Sequence, residues 1–393
     1  MAITKITTPE LFNLQSNNTE GTQLPVMTTT ERTAMTGMSN GELIFNSTTD
    51  SVEYYDLDAN AWYKIDYLVP EGTFFNTLLY TGDGTASKSI TGAGFQPDFV
   101  WIYDRDSGNS NPITDVVGDP TRILLSSSNA AQQDSTYRSN FGQVTSFDSN
   151  GFTVEDGSLS NGAFNKTGAN YCAFCFKAGG ASVTNGEGSI TSTVSANIPY
   201  GFSIVGFNSN TSASLQVGHG LDSTPELLIY KTVAISQAWY AETSVLGSSW
   251  FEGVFNGTGA IISRSGTFAD STLINSFTGT SGVAYIVYCF HSVTGKTKVG
   301  SYNGNGSSGQ KITTGFKPSF ILIKKSSDTG GNWDIINAKT DPAINKTKIL
   351  RSNLNSAETT SSSSITFDSD GFTLNGASFN TNGKNHLFYA TTL

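Results

Sequence analysis

The chain has 393 residues, a formal net charge of −10 and only 14% charged residues. Its 41 glycines, with abundant Ser, Thr and Asn, disfavour long helices and suit short strands joined by tight turns. No basic run stands out, which argues against nucleic-acid binding and against docking on an anionic membrane.

Residues 1–24 are polar, have no apolar segment of signal-peptide length, and read as an arm that orders on assembly. The sequence therefore predicts synthesis in a cytoplasm without export. In residues 25–72, Thr28-Thr-Thr-Glu31 has capping-box spacing and predicts a short helix from Thr29 to Met35. Glu42–Asn46, Val52–Asp56 and Ala61–Ile65 then read as a three-stranded meander. The longest apolar run, Val283 to Phe290, is too short to cross a membrane as a helix.

The rest of the chain repeats itself. Ile90-Thr-Gly-Ala-Gly-Phe-Gln-Pro-Asp-Phe-Val-Trp-Ile-Tyr103 is matched by Ile312-Thr-Thr-Gly-Phe-Lys-Pro-Ser-Phe-Ile-Leu-Ile-Lys324. Phe147-Asp-Ser-Asn-Gly-Phe152 is matched by Phe367-Asp-Ser-Asp-Gly-Phe372. A degraded middle copy keeps the Gly-x-x-Pro block at Gly218 to Lys231 and the closing segment at Gly282 to Phe290. Asn150-Gly151 and Asp370-Gly371 are hairpin signals. Three units follow, at residues 73–180, 181–295 and 296–393, with Gly179-Gly180 as the first joint. The predicted fold is all-β: a small helix and meander, then three β-sandwich units of jelly-roll-like topology.

Residues 25–65, with Pro25-Val-Met-Thr-Thr-Thr-Glu-Arg32, Gly41-Glu-Leu-Ile-Phe-Asn46 and Trp62, resemble a module of tailed-phage fibre proteins. The Gly-Phe-x-Pro-x-Phe and Phe-Asp-Ser-x-Gly-Phe repeats resemble domains of fibre proteins from marine phages, including those of cyanobacteria. This resemblance implies a virion protein, a homotrimer attached to other virion proteins through its N-terminal region. It implies a tail fibre that binds a host surface glycan or protein. A capsid-surface fibre or decoration protein is the alternative, and a glycan depolymerase the second.

No catalytic or metal site, and no cofactor, is predicted from the residues. Cys172-Ala-Phe-Cys175 has redox or zinc spacing, but Cys175 aligns with Cys289 and Ala390, and Cys172 with Ile286 and Leu387. These positions take small or apolar residues, as a buried strand would. His386 aligns with Tyr171 and Tyr285, His219 lies in a turn, and His291 follows a closing strand. Asp148-Ser-Asn-Gly151 and Asp368-Ser-Asp-Gly371 open like calcium loops but lack the closing Glu. The glycine turns at Gly82 to Gly84 and Gly304 to Gly306 lack the rest of a phosphate loop. Trp239 and Trp333, flanked by polar residues, are the glycan-contact candidates, although core packing is the favoured reading of both.

Overall fold

The computed structural model describes residues 24–48, 51–57, 60–64, 74–118, 120–211 and 214–393. The proposed N-terminal arm lies, apart from Leu24, outside them. The chain divides into two units, residues 1–70 and 71–393.

In the first unit, Thr28 caps a helix over Thr29–Thr33. Its hydroxyl accepts from the Glu31 amide at 3.3 Å, while Glu31 Oε2 accepts from the Thr28 amide at 2.7 Å. The expected meander forms from Leu43–Asn46, Ser51–Asp56 and Ala61–Lys64. Val26–Met27 adds a fourth strand, parallel to Leu43–Asn46. A buried polar knot ties helix to sheet. Glu53 accepts from Arg32 at 2.6 Å and from Asn46 at 3.0 Å, and Asn46 Nδ2 also donates to Thr29.

In the second unit each repeat builds the same first sheet. Repeat 1 orders Phe75–Thr81, Asn170–Phe176, Phe99–Asp104, Pro112–Asp115 and Leu124–Leu125, so first and last strands are neighbours. Repeat 3 gives Thr297–Asn303, Asn385–Thr391, Phe320–Lys325, Trp333–Asn337 and Asn345–Arg351 in the same order. A second sheet closes the sandwich in repeats 1 and 3; in repeat 3 it runs on from the first through pairing of Asn345–Arg351 with Thr359–Asp368. It consists of Lys88–Thr91, Gln143–Asp148 and Gly151–Glu155 in repeat 1, and Gln310–Thr313, Thr359–Asp368 and Gly371–Asn375 in repeat 3. The first and last strands carry the same ring stack three times: Tyr80 on Tyr171 (5.0 Å), Phe207 on Tyr285 (5.3 Å) and Tyr302 on His386 (4.9 Å).

The hairpin between sixth and seventh strands turns on Ser149-Asn150 and Ser369-Asp370, one residue earlier than Asn-Gly signals suggest. Glycine is needed for closeness. A Cβ at Gly151 would sit 1.9 Å from the Ile90 carbonyl oxygen, and one at Gly371 2.0 Å from that of Ile312.

The three units are not beads on a string. One face of each first sheet packs on its own second sheet; the other faces the sister repeats. Phe99 meets Tyr288 at 4.9 Å, Phe174 meets Phe320 at 5.0 Å and Phe290 meets Tyr389 at 4.7 Å, so all three pairs of repeats touch. These rings enclose a shared apolar axis with a void of only about 20 Å³. The Gly179-Gly180 joint is fixed against this body, because buried Asp98 accepts from the amides of Ala178 (2.8 Å) and Gly180 (3.0 Å).

Candidate functional site

Strand register identifies equivalent positions without reference to sequence similarity. Phe99, Leu227 and Phe320 pair with Phe176, Phe290 and Thr391, the last strand of each repeat. Cys175, Cys289 and Ala390 then coincide, as do Tyr171, Tyr285 and His386. All three cysteines are buried, and burial pushes their thiols up, that of Cys289 to about 12. Cys175 belongs to the core of repeat 1, while Cys172 lies on the opposite face of the strand. His386 is buried against Tyr302, and desolvation lowers its ring to about 4. His219 is buried as well, its Nδ1 accepting from the Leu221 amide and its Nε2 bonding the Asp270 carbonyl. Asp148 and Asp368 each accept from a strand threonine, Thr153 at 2.7 Å and Thr373 at 2.6 Å. Among the described residues, no three His, Cys, Asp or Glu side chains gather as metal ligands.

Trp239 and Trp333 require a correction. Both are fully buried and offer no face to a sugar. They occupy equivalent positions, with Asn111 as the third member, and each donates to the sister repeat before it. Trp239 Nε1 donates to the Leu125 carbonyl (2.8 Å), Trp333 Nε1 to that of Val254 (3.3 Å), and Asn111 Nδ2 to that of Arg351 (3.0 Å). Leu125, Val254 and Arg351 are themselves equivalent, lying opposite Pro112, Tyr240 and Asp334. The tryptophans are links in a closed ring of three contacts between repeats. Their polar flanks could not reveal this, because the partner carbonyls lie 114 and 79 residues away.

The open site lies in the degraded middle repeat. Its first sheet is Phe202–Asn208, Ala284–Phe290, Leu227–Thr232, Tyr240–Thr243 and Trp250–Val254, extended by Ser192–Asn197 and Val183–Asn185 at one edge and by Ile262–Arg264 at the other. Its second sheet shrinks to Val217–Gly218 paired with Leu273–Ile274. In the sister repeats two residues join the sixth and seventh strands, 149–150 or 369–370. In the middle repeat eight residues, 265–272, separate Ile262–Arg264 from Leu273–Ile274, and these strands do not pair. The sandwich is left unclosed, and a cleft of about 1120 Å³ opens between them.

The residues facing the gap have changed accordingly. Where repeat 1 has Ile102 and Thr114, and repeat 3 has Ile323 and Ile336, the middle repeat has Tyr230 and Glu242. Tyr230 and Tyr240 stack at 5.4 Å and are each partly exposed. Glu242 is only 2% exposed and accepts from Ser276 Oγ at 2.6 Å. Burial pushes its carboxyl up to about 7. Glu252 lies directly across the strand pair from Glu242 and ion-pairs with Arg264 at 2.7 Å. Asp270 accepts from the amides of Thr272 and Leu273, which hold its carboxyl down at about 2. Sequence reading missed this site, but it contained the signal: the middle copy lacks the Phe-Asp-Ser-x-Gly-Phe hairpin that closes the other two.

Comparisons with known families assign the class first. Residues 4–82 match a phage tail-like trimerisation region. The protein is thus a phage structural protein of the fibre type, a virion component with a region for assembling three copies. Residues 70–392 match a domain of unknown function, DUF7483, and the chain belongs to that family. The match treats the three repeats as one domain, in keeping with their shared core. No curated protein and no solved structure matches the chain. No helix among the described residues is long and apolar enough to cross a membrane.

Proposed function

We propose that this protein is a trimeric phage tail fibre that anchors to the particle by its N-terminal region and adheres to the host surface through its β body, without catalysis. The supporting observation is the union, in one chain, of a phage tail-like trimerisation region with a β body carrying an open polar cleft. Three copies per fibre would turn weak individual contacts into durable attachment. Purified full-length protein should bind cells of the phage's host and compete with phage adsorption; absence of both effects counts against adhesion. Labelling at the tail of intact virions is expected, whereas a copy number matching capsid symmetry would favour a capsid-surface fibre or decoration protein.

One observation favours a depolymerase as the second reading. Glu242 and Glu252 face each other across a strand pair, one buried with Ser276 and the other paired with Arg264. Carboxylates in unlike environments can divide acid and base roles in glycoside cleavage. Incubation with envelope polysaccharide should release no new reducing ends. Release that disappears in Glu242→Gln would establish the enzymatic reading instead.

A further inference from the structure

We propose that the cleft of the middle repeat is a carbohydrate-binding site for uncharged or amino-sugar oligosaccharides, and that it is the receptor contact of the fibre. This assignment rests on the adhesin reading above. Three features of the cleft carry it.

The first is that the cleft is built by changing a closed sandwich. The sister repeats show how this fold seals itself, with two-residue hairpins and uncharged residues at the equivalent positions, Ile102 and Thr114 in repeat 1 and Ile323 and Ile336 in repeat 3. A buried carboxyl at Glu242, where Ile336 stands in repeat 3, is a cost in stability that sealing would avoid. Nothing in the scaffold requires it, since repeat 3 folds the same sheet with isoleucine there.

The second is the chemistry of the walls. Gln216, Gln237, Asn275 and Thr278 supply short-range donors and acceptors, and the partly exposed rings of Tyr230 and Tyr240 supply flat apolar surface. Ring faces beside planar amides suit a ligand with apolar C–H faces edged by hydroxyls. Glu242, whose carboxyl is raised to about 7, is present in both its protonated and its ionised form near neutrality and donates or accepts at the floor. At about 1120 Å³ the cleft exceeds the usual room for one small molecule and accommodates several linked rings.

The third is charge. Glu242, Glu252 and Asp270 line the cleft, and Arg264 is the one cation among the described residues that do so. Arg264 is already paired with Glu252 at 2.7 Å. A uronic acid, sulfate or phosphate would meet carboxylates with no free cation to offset them, whereas a neutral sugar or an ammonium-bearing hexosamine would not.

The test uses full-length protein against immobilised maltohexaose, chitosan hexamer, alginate hexamer and a panel of bacterial envelope polysaccharides, with whole host cells in parallel. Binding is expected to neutral or amino-sugar probes and not to alginate. Tyr240→Ala and Glu252→Gln should weaken it at least about tenfold, as loss of a central contact does. Lys311→Ala, on the second strand of repeat 3 and away from the cleft, should bind like wild type, and matching thermal melts will show that all variants fold. If wild type binds cells but no saccharide, or if cleft variants bind saccharide unchanged, the cleft assignment is wrong and adhesion stands. Cell binding that survives periodate oxidation of surface glycans points to a protein receptor and also overturns it. Saccharide binding without cell binding would instead remove the adhesin reading and leave the site.

Discussion

At the scale of single residues, the cost of opening the middle repeat falls on Glu242. Its carboxyl ordinarily titrates near 4.5 and is raised to about 7 in the folded protein, chiefly by desolvation. The folded state then holds a proton that the unfolded state has released over that interval. The resulting stability is fully present below pH 4.5 and is lost as pH rises through about 7. The urea midpoint should therefore fall from about pH 5 to about pH 8 more steeply in wild type than in Glu242→Gln, which cannot ionise. Equal slopes would show that Glu242 is not the group responsible. Lys231 and Lys324 oppose this trend at higher pH. Both are buried at equivalent positions, and burial lowers their ammonium groups from 10.5 to about 8. The unfolded state then binds the extra protons, so these two contribute stability that grows between about pH 8 and 10.5.

At the scale of elements, one hairpin and one ring of contacts separate scaffold from site. The hairpin was legible: Phe-Asp-Ser-x-Gly-Phe marks two strands and the turn between them, and its absence marks the open repeat. What the motif did not show is that its glycine serves close approach to the second strand and not the turn centre. Gly371→Ala would place a Cβ against the Ile312 carbonyl and should cost about 1–3 kcal/mol, read as a lower urea midpoint with the cleft intact. The ring formed by Trp239, Trp333 and Asn111 was illegible, because its hydrogen bonds join residues remote in sequence and one member is not aromatic. Trp333→Ala removes a fully buried indole and its link to Val254, and should cost about 3–5 kcal/mol. Trp333→Phe keeps ring packing and loses only the donor, so it should recover most of that loss. If alanine at Trp333 left stability unchanged and abolished saccharide binding, the residue would be a ligand contact after all.

At the scale of the whole molecule, local periodicity announced three units but not that they share a core. The unbroken apolar runs of Phe99 to Tyr103 and Phe320 to Ile323 fit burial on both faces of a strand. A single copy cannot say what covers the second face. The structure answers with the sister repeats, through Phe99 on Tyr288, Phe174 on Phe320 and Phe290 on Tyr389. Charged links follow the same closure: Arg105 of repeat 1 pairs with Glu358 of repeat 3 at 2.9 Å, and Tyr288 of repeat 2 donates to Asp115 of repeat 1 at 2.9 Å. A linear array, in which each repeat touches only its chain neighbours, would unfold by stages and tolerate loss of a terminal copy. Here removing repeat 3 would expose Phe174, Phe290 and Phe255 at once and break two of the three links in the ring. Residues 71–393 are therefore expected to melt in one calorimetric transition whose enthalpy equals the van't Hoff value, alongside any separate transition of the N-terminal trimer. A chain ending at residue 295 should lose cooperative melting altogether. Three resolved transitions for the body, or a folded truncation, would show that the shared axis contributes little and that the repeats are independent after all.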